Sequence, residues 1–541
     1  MLLYVTCAVL GLIIFVWQRR RHLSIHQRNN IPGPPPSFFS GNLWDIYKHG
    51  HLKMLSRWHK QYGPVVGYYF GMKPVVVCAD PEHLKTILLK EFHNFADRSD
   101  LVSGGPVGGL DSALTVLRGQ RWKDVRSTLT PSFTSRKLKQ LNPEVCSIVD
   151  GFLKNIDTEF ANSNEFNIYE LYQALTLETI CKTGMGVDFG IQEDIKNSKI
   201  LDSSRLIFTQ KFNLVGVIII SFPILWPILG KLITALRLRA QNEGINPVDD
   251  LKKKCADVVK LRRANPENHR VDLLQLMIDA QKTEKPTSDD DLIAGDVAEE
   301  KDRESNEAAA NVAGSECPFS GKSRGLTDDE VIDNAFLILL AGFETTSSSL
   351  AFITKMLLRF PEVQEKLRQE LLEATDRGKR FDFEKLQKCH YMEAVIQEVL
   401  RMYPPVFFFT TREAKEDIVI DDFTIPKGMG TFASTDELHH NEDIFPDPYK
   451  FRPERFLPEN KTSAMSWAWQ PFGAGPRNCI GMRFAQMEIK ITLAKLLTKY
   501  VLSSRLEPLN DEHIETDDFP VTQRVGESLL CKVERVQLSP E

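Results

Sequence analysis

Paired cysteines are missing from this chain. Its nine cysteines, at 7, 78, 146, 181, 255, 317, 389, 479 and 531, are odd in number, scattered and never in C-x-x-C spacing. That argues against a zinc cluster or a disulfide framework, and for a reducing compartment. Excess positive charge is missing too. Lys and Arg number 67 against 73 Asp and Glu, a net charge of −6, which argues against a general nucleic-acid-binding role. There is no G-x-G-x-x-G after a strand and no flavin site, so redox chemistry here must draw its electrons from a partner. No internal repeat and no compositional break divides the 541 residues. The first apolar run does not read as a cleavable leader, because positive charge does not precede it and small residues do not end it.

That first run is instead an anchor. Leu2 to Trp17 is apolar apart from Tyr4, Thr6 and Cys7, and Arg19-Arg20-Arg21 follows at once. A spanning helix needs about 20 apolar residues, with about 17 as the lower limit. Charges after the run leave the main body on the cytoplasmic side. Residues 1–21 are read as a single-pass signal anchor and 22–36 as a basic, proline-rich hinge containing Pro32-Gly33-Pro34-Pro35-Pro36. That proline run forms a stiff connection; an SH3-type ligand is the other reading. Residues 37–541 form the main domain, with 42% of the chain hydrophobic and 32 Phe to line an interior.

β signals appear at Val65–Phe70, Pro74–Cys78 and Ile418–Ile420. Helical patterning dominates from about Pro81 to Leu400, so the fold class is mainly α with small β-sheets. Two segments break the pattern. Phe212–Gly230 is nearly uncharged but interrupted by Pro223 and Pro227. It reads as a hairpin resting in the membrane interface and roofing a pocket, with a full span as the alternative. Residues 285–324 are acidic and aperiodic, and read as a disordered surface insertion.

The most informative stretch is Pro471-Phe472-Gly473-Ala474-Gly475-Pro476-Arg477-Asn478-Cys479-Ile480-Gly481, just before a helical pattern from Met482 to about Leu497. A thiolate there gains from the helix N-terminus and from the nearby arginine, and is poised to bind a metal. Gly475 and Gly481 allow close approach of a large flat ligand, and Phe472 can cover its flank. The spacing Phe-x-x-Gly-x-Arg-x-Cys-x-Gly resembles the haem-binding loop of the cytochrome P-450 superfamily. The resemblance extends from about Ile31 to Gln537 and is nearest the microsomal branch holding the drug-metabolising family-3 enzymes and thromboxane synthase. It implies haem b held between a long central helix and this loop, with Cys479 as the axial iron ligand and Arg477 on a haem propionate.

Other motifs take meaning from the same resemblance. Ala341-Gly342-Phe343-Glu344-Thr345-Thr346 lies in a helix starting near Asp328. Gly342, Thr345 and Thr346 are poor helix formers, and a Thr can bond back to a carbonyl and open the helix locally. The resemblance implies that Thr345 steers protons and water, that Glu344 connects to solvent, and that Ala341 and Gly342 border the oxygen site. Glu398 and Arg401, at i, i+3, and Arg455 are implied to form a buried charge triad supporting the loop. Trp122 and Arg126, one helical turn apart, are implied propionate partners, with Arg98 and Arg412 as further ones. Val406, Phe407, Phe408 and Phe409, with Phe336, Ile338, Ala341 and Val521, are implied to line an apolar substrate pocket. His439-His440 is not read as a metal site, because adjacent side chains diverge.

The resulting expectation is a haem-thiolate monooxygenase of the endoplasmic reticulum membrane. A thiolate trans to dioxygen donates electron density and favours O–O cleavage. One oxygen atom of O2 would enter a hydrophobic small molecule (steroid, fatty acid or xenobiotic). The implied electron source is an NADPH-dependent flavoprotein reductase, sometimes with cytochrome b5. Lys123, Arg483 and Lys490 are candidates for its docking face. The rivals are a haem-thiolate isomerase acting on a peroxide without reductase, a non-enzymatic haem sensor or electron carrier, and a membrane-tethered scaffold that has lost haem.

Overall fold

A computed structural model describes residues 2–99, 109–163, 165–209, 214–222, 246–265, 272–281, 325–518, 522–526 and 528–536. The insertion read at 285–324, Val521, and residues 212, 213 and 223–230 of the second apolar segment lie outside them. Two compact units emerge, one of residues 1–105, 211–245 and 408–437, the other of 106–210, 246–407 and 438–541.

The first unit is built on a four-stranded sheet, in the order Val65–Phe70, Lys73–Cys78, Gly430–Ala433, Thr411–Glu413. The first two strands form an antiparallel hairpin, and Val75–Cys78 pairs in parallel with Gly430–Ala433. Val75, Val76 and Val77 are all buried, so both faces of this β-branched run are covered. The expected anchor is a helix over Leu2–Leu23, long and apolar enough to cross a membrane.

The segment read as a hinge is not a free connector. His22 and His26 hydrogen-bond to the carbonyls of Met72 and Tyr68 at 2.7 and 3.1 Å. The Gly67 amide donates to Pro32 O at 2.7 Å. A Cβ on Gly33 would lie 1.8 Å from Gly67 O. The prolines stiffen the segment, while its glycine lets it lie flat on the sheet edge. Of the second apolar segment, Leu214–Ser221 is helical, with Leu214, Val215 and Ile218 exposed.

The second unit is helical around a 32-residue central helix, Asp328–Arg359. A capping box starts it: Glu330 N donates to Thr327 Oγ1 and Thr327 N to Glu330 Oε2. The helix packs along Ile168–Met185, tied by the Tyr172 and Thr354 hydroxyls at 2.7 Å and by Thr176 Oγ1 donating to Phe343 O at 3.0 Å. Behind these lie Ser135–Asn162 and Met482–Lys499, joined by Lys495 to Asp150 at 2.6 Å. Small sheets near the C-terminus, such as Tyr500–Ser503 on Leu530–Arg535, complete a mainly helical fold with minor β-structure.

Candidate functional site

Gly481 is the N-cap of Met482–Lys499, and no side chain caps it. The first amides of that helix are left uncapped by Gly481, and Cys479 lies two residues before that cap. The loop is held in shape by Cys479 N donating to Phe472 O and Asn478 N to Gly475 O, both at 2.9 Å. Gly475 has φ +74° and Gly473 φ +73°, conformations that strain any residue with a Cβ. Gly473 was not singled out from the sequence. Gly481 has an ordinary φ of −89°; a Cβ there would meet the Phe133 ring at 3.9 Å.

Exposure separates the thiols. Cys479 is exposed, whereas Cys78, Cys255 and Cys531 are buried, and burial pushes each of their thiols up to about 12. Cys7, the other exposed cysteine among the described residues, lies on the anchor helix.

Trp122 and Arg126 share one face of the helix Gly119–Leu129, and that face meets the loop. The Arg477 guanidinium stacks 4.1 Å over the Trp122 ring, and Arg477 Nη2 donates to Leu117 O at 3.0 Å. Arg126 donates to Asn478 O at 2.9 Å and to Asn478 Oδ1 at 2.7 Å. The expected residues do come together, but Arg126 spends two of its N–H groups on the loop itself. Arg98 and Arg412 belong to the sheet unit. Arg98 lies 4.2 Å over the Phe409 ring and donates to its carbonyl. Burial, then the Arg98 charge, push Arg412 down to about 9, so the field there favours an anion.

The charge triad forms as a closed cluster. Glu398 accepts from Arg401 at 2.8 and 3.1 Å, from Arg455 at 2.9 Å and from the Arg452 amide at 2.9 Å. Glu398 and Arg401 are fully buried. His439 is a member that sequence reasoning missed. Its Nδ1 bonds Arg401 O at 2.9 Å, its carbonyl accepts from Arg401 at 2.8 Å, and its Nε2 accepts from Gln470 N at 2.9 Å. Burial, then Arg401, push His439 down to about 3, so it stays neutral as an acceptor. It joins the triad to Gln470, directly before Pro471. His440 turns away and stacks on Tyr449 at 4.9 Å, the divergence expected of neighbours.

Beyond its exposed start and half-buried Ile332 and Leu337, the central helix is buried except along a stripe through Ile338, Ala341, Gly342 and Thr345. Thr345 Oγ1 donates to Ala341 O at 2.6 Å, the expected back-bond, yet the helix stays continuous. Gly342 has its own packing reason: a Cβ would lie 3.1 Å from Ile180. The Glu344 side chain is buried. It is 3% exposed, and Tyr169 donates to it at 2.9 Å; helical geometry puts it about 100° around from Thr345, on the inward side.

Of the expected pocket residues in this unit, Phe336 and Phe407 are buried and Val406 is half-buried. Phe408 belongs to the sheet unit, stacked on Phe432 at 4.3 Å and edge-on to His51 at 4.2 Å. The expected docking cations do not form a surface. Lys123 and Lys490 are buried, with Lys490 paired to Glu393 at 2.5 Å, and Arg483 is half-buried. The long alkyl stems fill the packing layer, and Glu393 draws the ammonium inward.

The cytochrome P450 family profile matches residues 31–300 and 296–524. Cytochrome P450 3A31 of Mesocricetus auratus is 32% identical over 88% of this chain and 86% of its own. Cytochrome P450 3A5 of Homo sapiens is 31% identical over 91% and 89%. Lithocholate 6-beta-hydroxylase of Mesocricetus auratus is 31% identical over 93% and 91%. This chain belongs to the cytochrome P450 family and is a haem-thiolate monooxygenase.

Proposed function

We propose that the protein oxidises an apolar small molecule, with Cys479 as the haem iron ligand and electrons delivered from NADPH by a flavoprotein reductase. One observation carries this reading: an exposed cysteine at an uncapped helix N-terminus, beside the Arg477–Trp122–Arg126 cluster. The chain's donor chemistry fits haem b. The exposed thiol suits the iron, the cationic cluster suits propionates, and the small-residue stripe on the central helix suits a flat ring with space above it. Arg98 and Arg412 fit further anionic contacts by family resemblance.

Haem bound on Cys479 supplies oxygen activation, helped by electron donation from the thiolate. The chain's residues do the rest. Arg477 and Arg126 fix the loop and the propionates. Glu398, Arg401, Arg455 and His439 hold the loop's base. Ala341 and Gly342 leave room, and Thr345 orients water and protons. Phe336 and Phe407 exclude water and favour an apolar substrate.

One relative is named a lithocholate 6-beta-hydroxylase, so steroids head the substrate panel, before fatty acids and xenobiotics. The test is NADPH turnover with reductase over that panel. Oxidised product that depends on both NADPH and reductase is expected. Rearrangement of a peroxide substrate into its own isomer, with no panel compound oxidised under NADPH and reductase, would sink the reading in favour of an isomerase.

The exposed cations Arg136 and Lys139, close in sequence to Phe133 beside Gly481, replace the buried lysines as docking candidates for the reductase and cytochrome b5. The anchor helix, together with exposed Phe39, Trp44, Leu214 and Ile218, forms the surface that meets lipid in the endoplasmic reticulum membrane, with the body cytoplasmic. Exposed Asn460, in Asn460-Lys461-Thr462, tests orientation. No glycan should be found there in membrane-expressed protein, and a glycosylated Asn460 would reverse the topology.

A further inference from the structure

Glu344 precedes Thr345 in sequence, but the two side chains face different surroundings. Thr345 lies on the open stripe. Glu344 is turned inward to the helix Ile168–Met185, where three polar groups meet it. The Tyr169 hydroxyl donates to Glu344 Oε1 at 2.9 Å and lies 3.3 Å from Ser348 Oγ. Gln173, one turn along from Tyr169, also faces the carboxyl, and Arg524 acts on it over a longer range. Arg524 is itself 3.7 Å from Asp517. Glu344 Oε2 is buried and makes no well-formed hydrogen bond among the described residues.

The Tyr169 hydroxyl is not needed to join the two helices, since the Tyr172–Thr354 and Thr176–Phe343 bonds already do so. A buried phenol aimed at one carboxylate oxygen fixes which oxygen is engaged and which is left to exchange. Burial pushes Glu344 up, while Tyr169, Arg524, Gln173 and Ser348 pull it back. Burial and the Glu344 charge push Tyr169 up, so Tyr169 keeps its proton throughout.

We propose that Tyr169 is a positioning residue for proton delivery, holding Glu344 through Oε1 so that Oε2 is the oxygen that gives and takes the proton. The proton leaves Oε2 to a water on the Thr345 side, and Oε2 is reprotonated from water, so no proton is lost from Tyr169. This inference rests on the role given to the Glu344–Thr345 pair above.

The test uses the full-length haem-loaded protein and the variants Tyr169→Phe, Glu344→Gln, Tyr169→Phe/Glu344→Gln, Tyr169→Gln and Thr345→Ala. Two quantities are read: product formed per NADPH consumed, and the pH midpoint of the Glu344 carboxyl by infrared difference against Glu344→Gln, in resting protein without reductase. A hydrogen bond to a charged group is worth about one pKa unit or more, so Y169F should raise the midpoint by about one unit and lower coupling about tenfold. In the E344Q background Y169F should add nothing. Y169Q, which keeps a donor, should recover part of the coupling. An unmoved midpoint, a Y169F loss undiminished in E344Q, or equal losses in Y169F and Y169Q would each overturn the proposal. If Y169F fails to fold, the Y169Q midpoint decides: a rise smaller than one unit, with partial coupling, supports it, and no shift with full coupling overturns it. Full coupling in both T345A and E344Q would instead refute the underlying role of the pair.

Discussion

The cysteine loop and the open stripe of the central helix belong to one unit but are built on opposite plans. The loop is tied at many points. Arg126 grips Asn478, Arg477 lies on Trp122, and His439 carries the Glu398 cluster to Gln470. The stripe is defined by what is small or absent, at Ala341, Gly342 and Thr345, within a helix whose C-terminal half is buried. Holding a cofactor requires over-determined geometry, whereas placing a substrate requires space. The first region should therefore fail when atoms are removed, and the second when atoms are added.

The largest effect is expected from Cys479→Ser. Turnover should be abolished, and the carbon-monoxide spectrum of the reduced protein should lose its thiolate form. A retained thiolate spectrum would move the ligand elsewhere. Next is Glu398→Gln. Leaving Arg401 and Arg455 buried without their carboxylate costs about 3–5 kcal/mol, so haem content per protein should collapse. Full haem loading would show that the triad is not needed to support the loop.

Ala341→Phe tests the other region. Its added ring should weaken substrate-induced spectral shifts by roughly tenfold to a hundredfold, at an overpacking cost of no more than about 1–3 kcal/mol. Unchanged substrate binding would remove the stripe from the pocket.

The smallest effect on turnover is expected at Glu488 on Met482–Lys499. Its carboxyl is buried, and burial pushes it up to about 8. A folded pKa above the unfolded value means the folded state binds more protons between about pH 4.5 and 8. Stability should therefore fall as pH rises through that window. Glu488→Gln should flatten the fall and raise Tm at pH 8 relative to pH 5. Parallel curves for the two proteins would show that Glu488 titrates normally.

Local chemistry was legible wherever neighbours in sequence stay neighbours in space. The Val-rich strands formed at Val65–Phe70 and Lys73–Cys78, and the post-loop helix formed over Met482–Lys499. Trp122 and Arg126 reached the loop because a helix puts i and i+4 on one face. Readings that depended on distant packing fared differently. The stiffness of the hinge was legible because it is local to the prolines, while the seat of Gly33 on Gly67 joins residues 34 apart. Lys123 and Lys490 looked like surface charge because a sequence does not show that Lys490 finds Glu393.

By itself, the sequence determined the apolar N-terminal helix, the mainly helical class and the cysteine loop that marks the haem-thiolate family, because each is written in contiguous residues. Only the tertiary structure decided that His439 ties the charge cluster to the loop, that Glu344 is buried, and that Tyr169 donates to it. Those relationships join residues 31 to 175 positions apart, and burial set the charge state of His439 and raised the proton affinity of Glu344. Neither the separation nor the burial has a local signal along the chain.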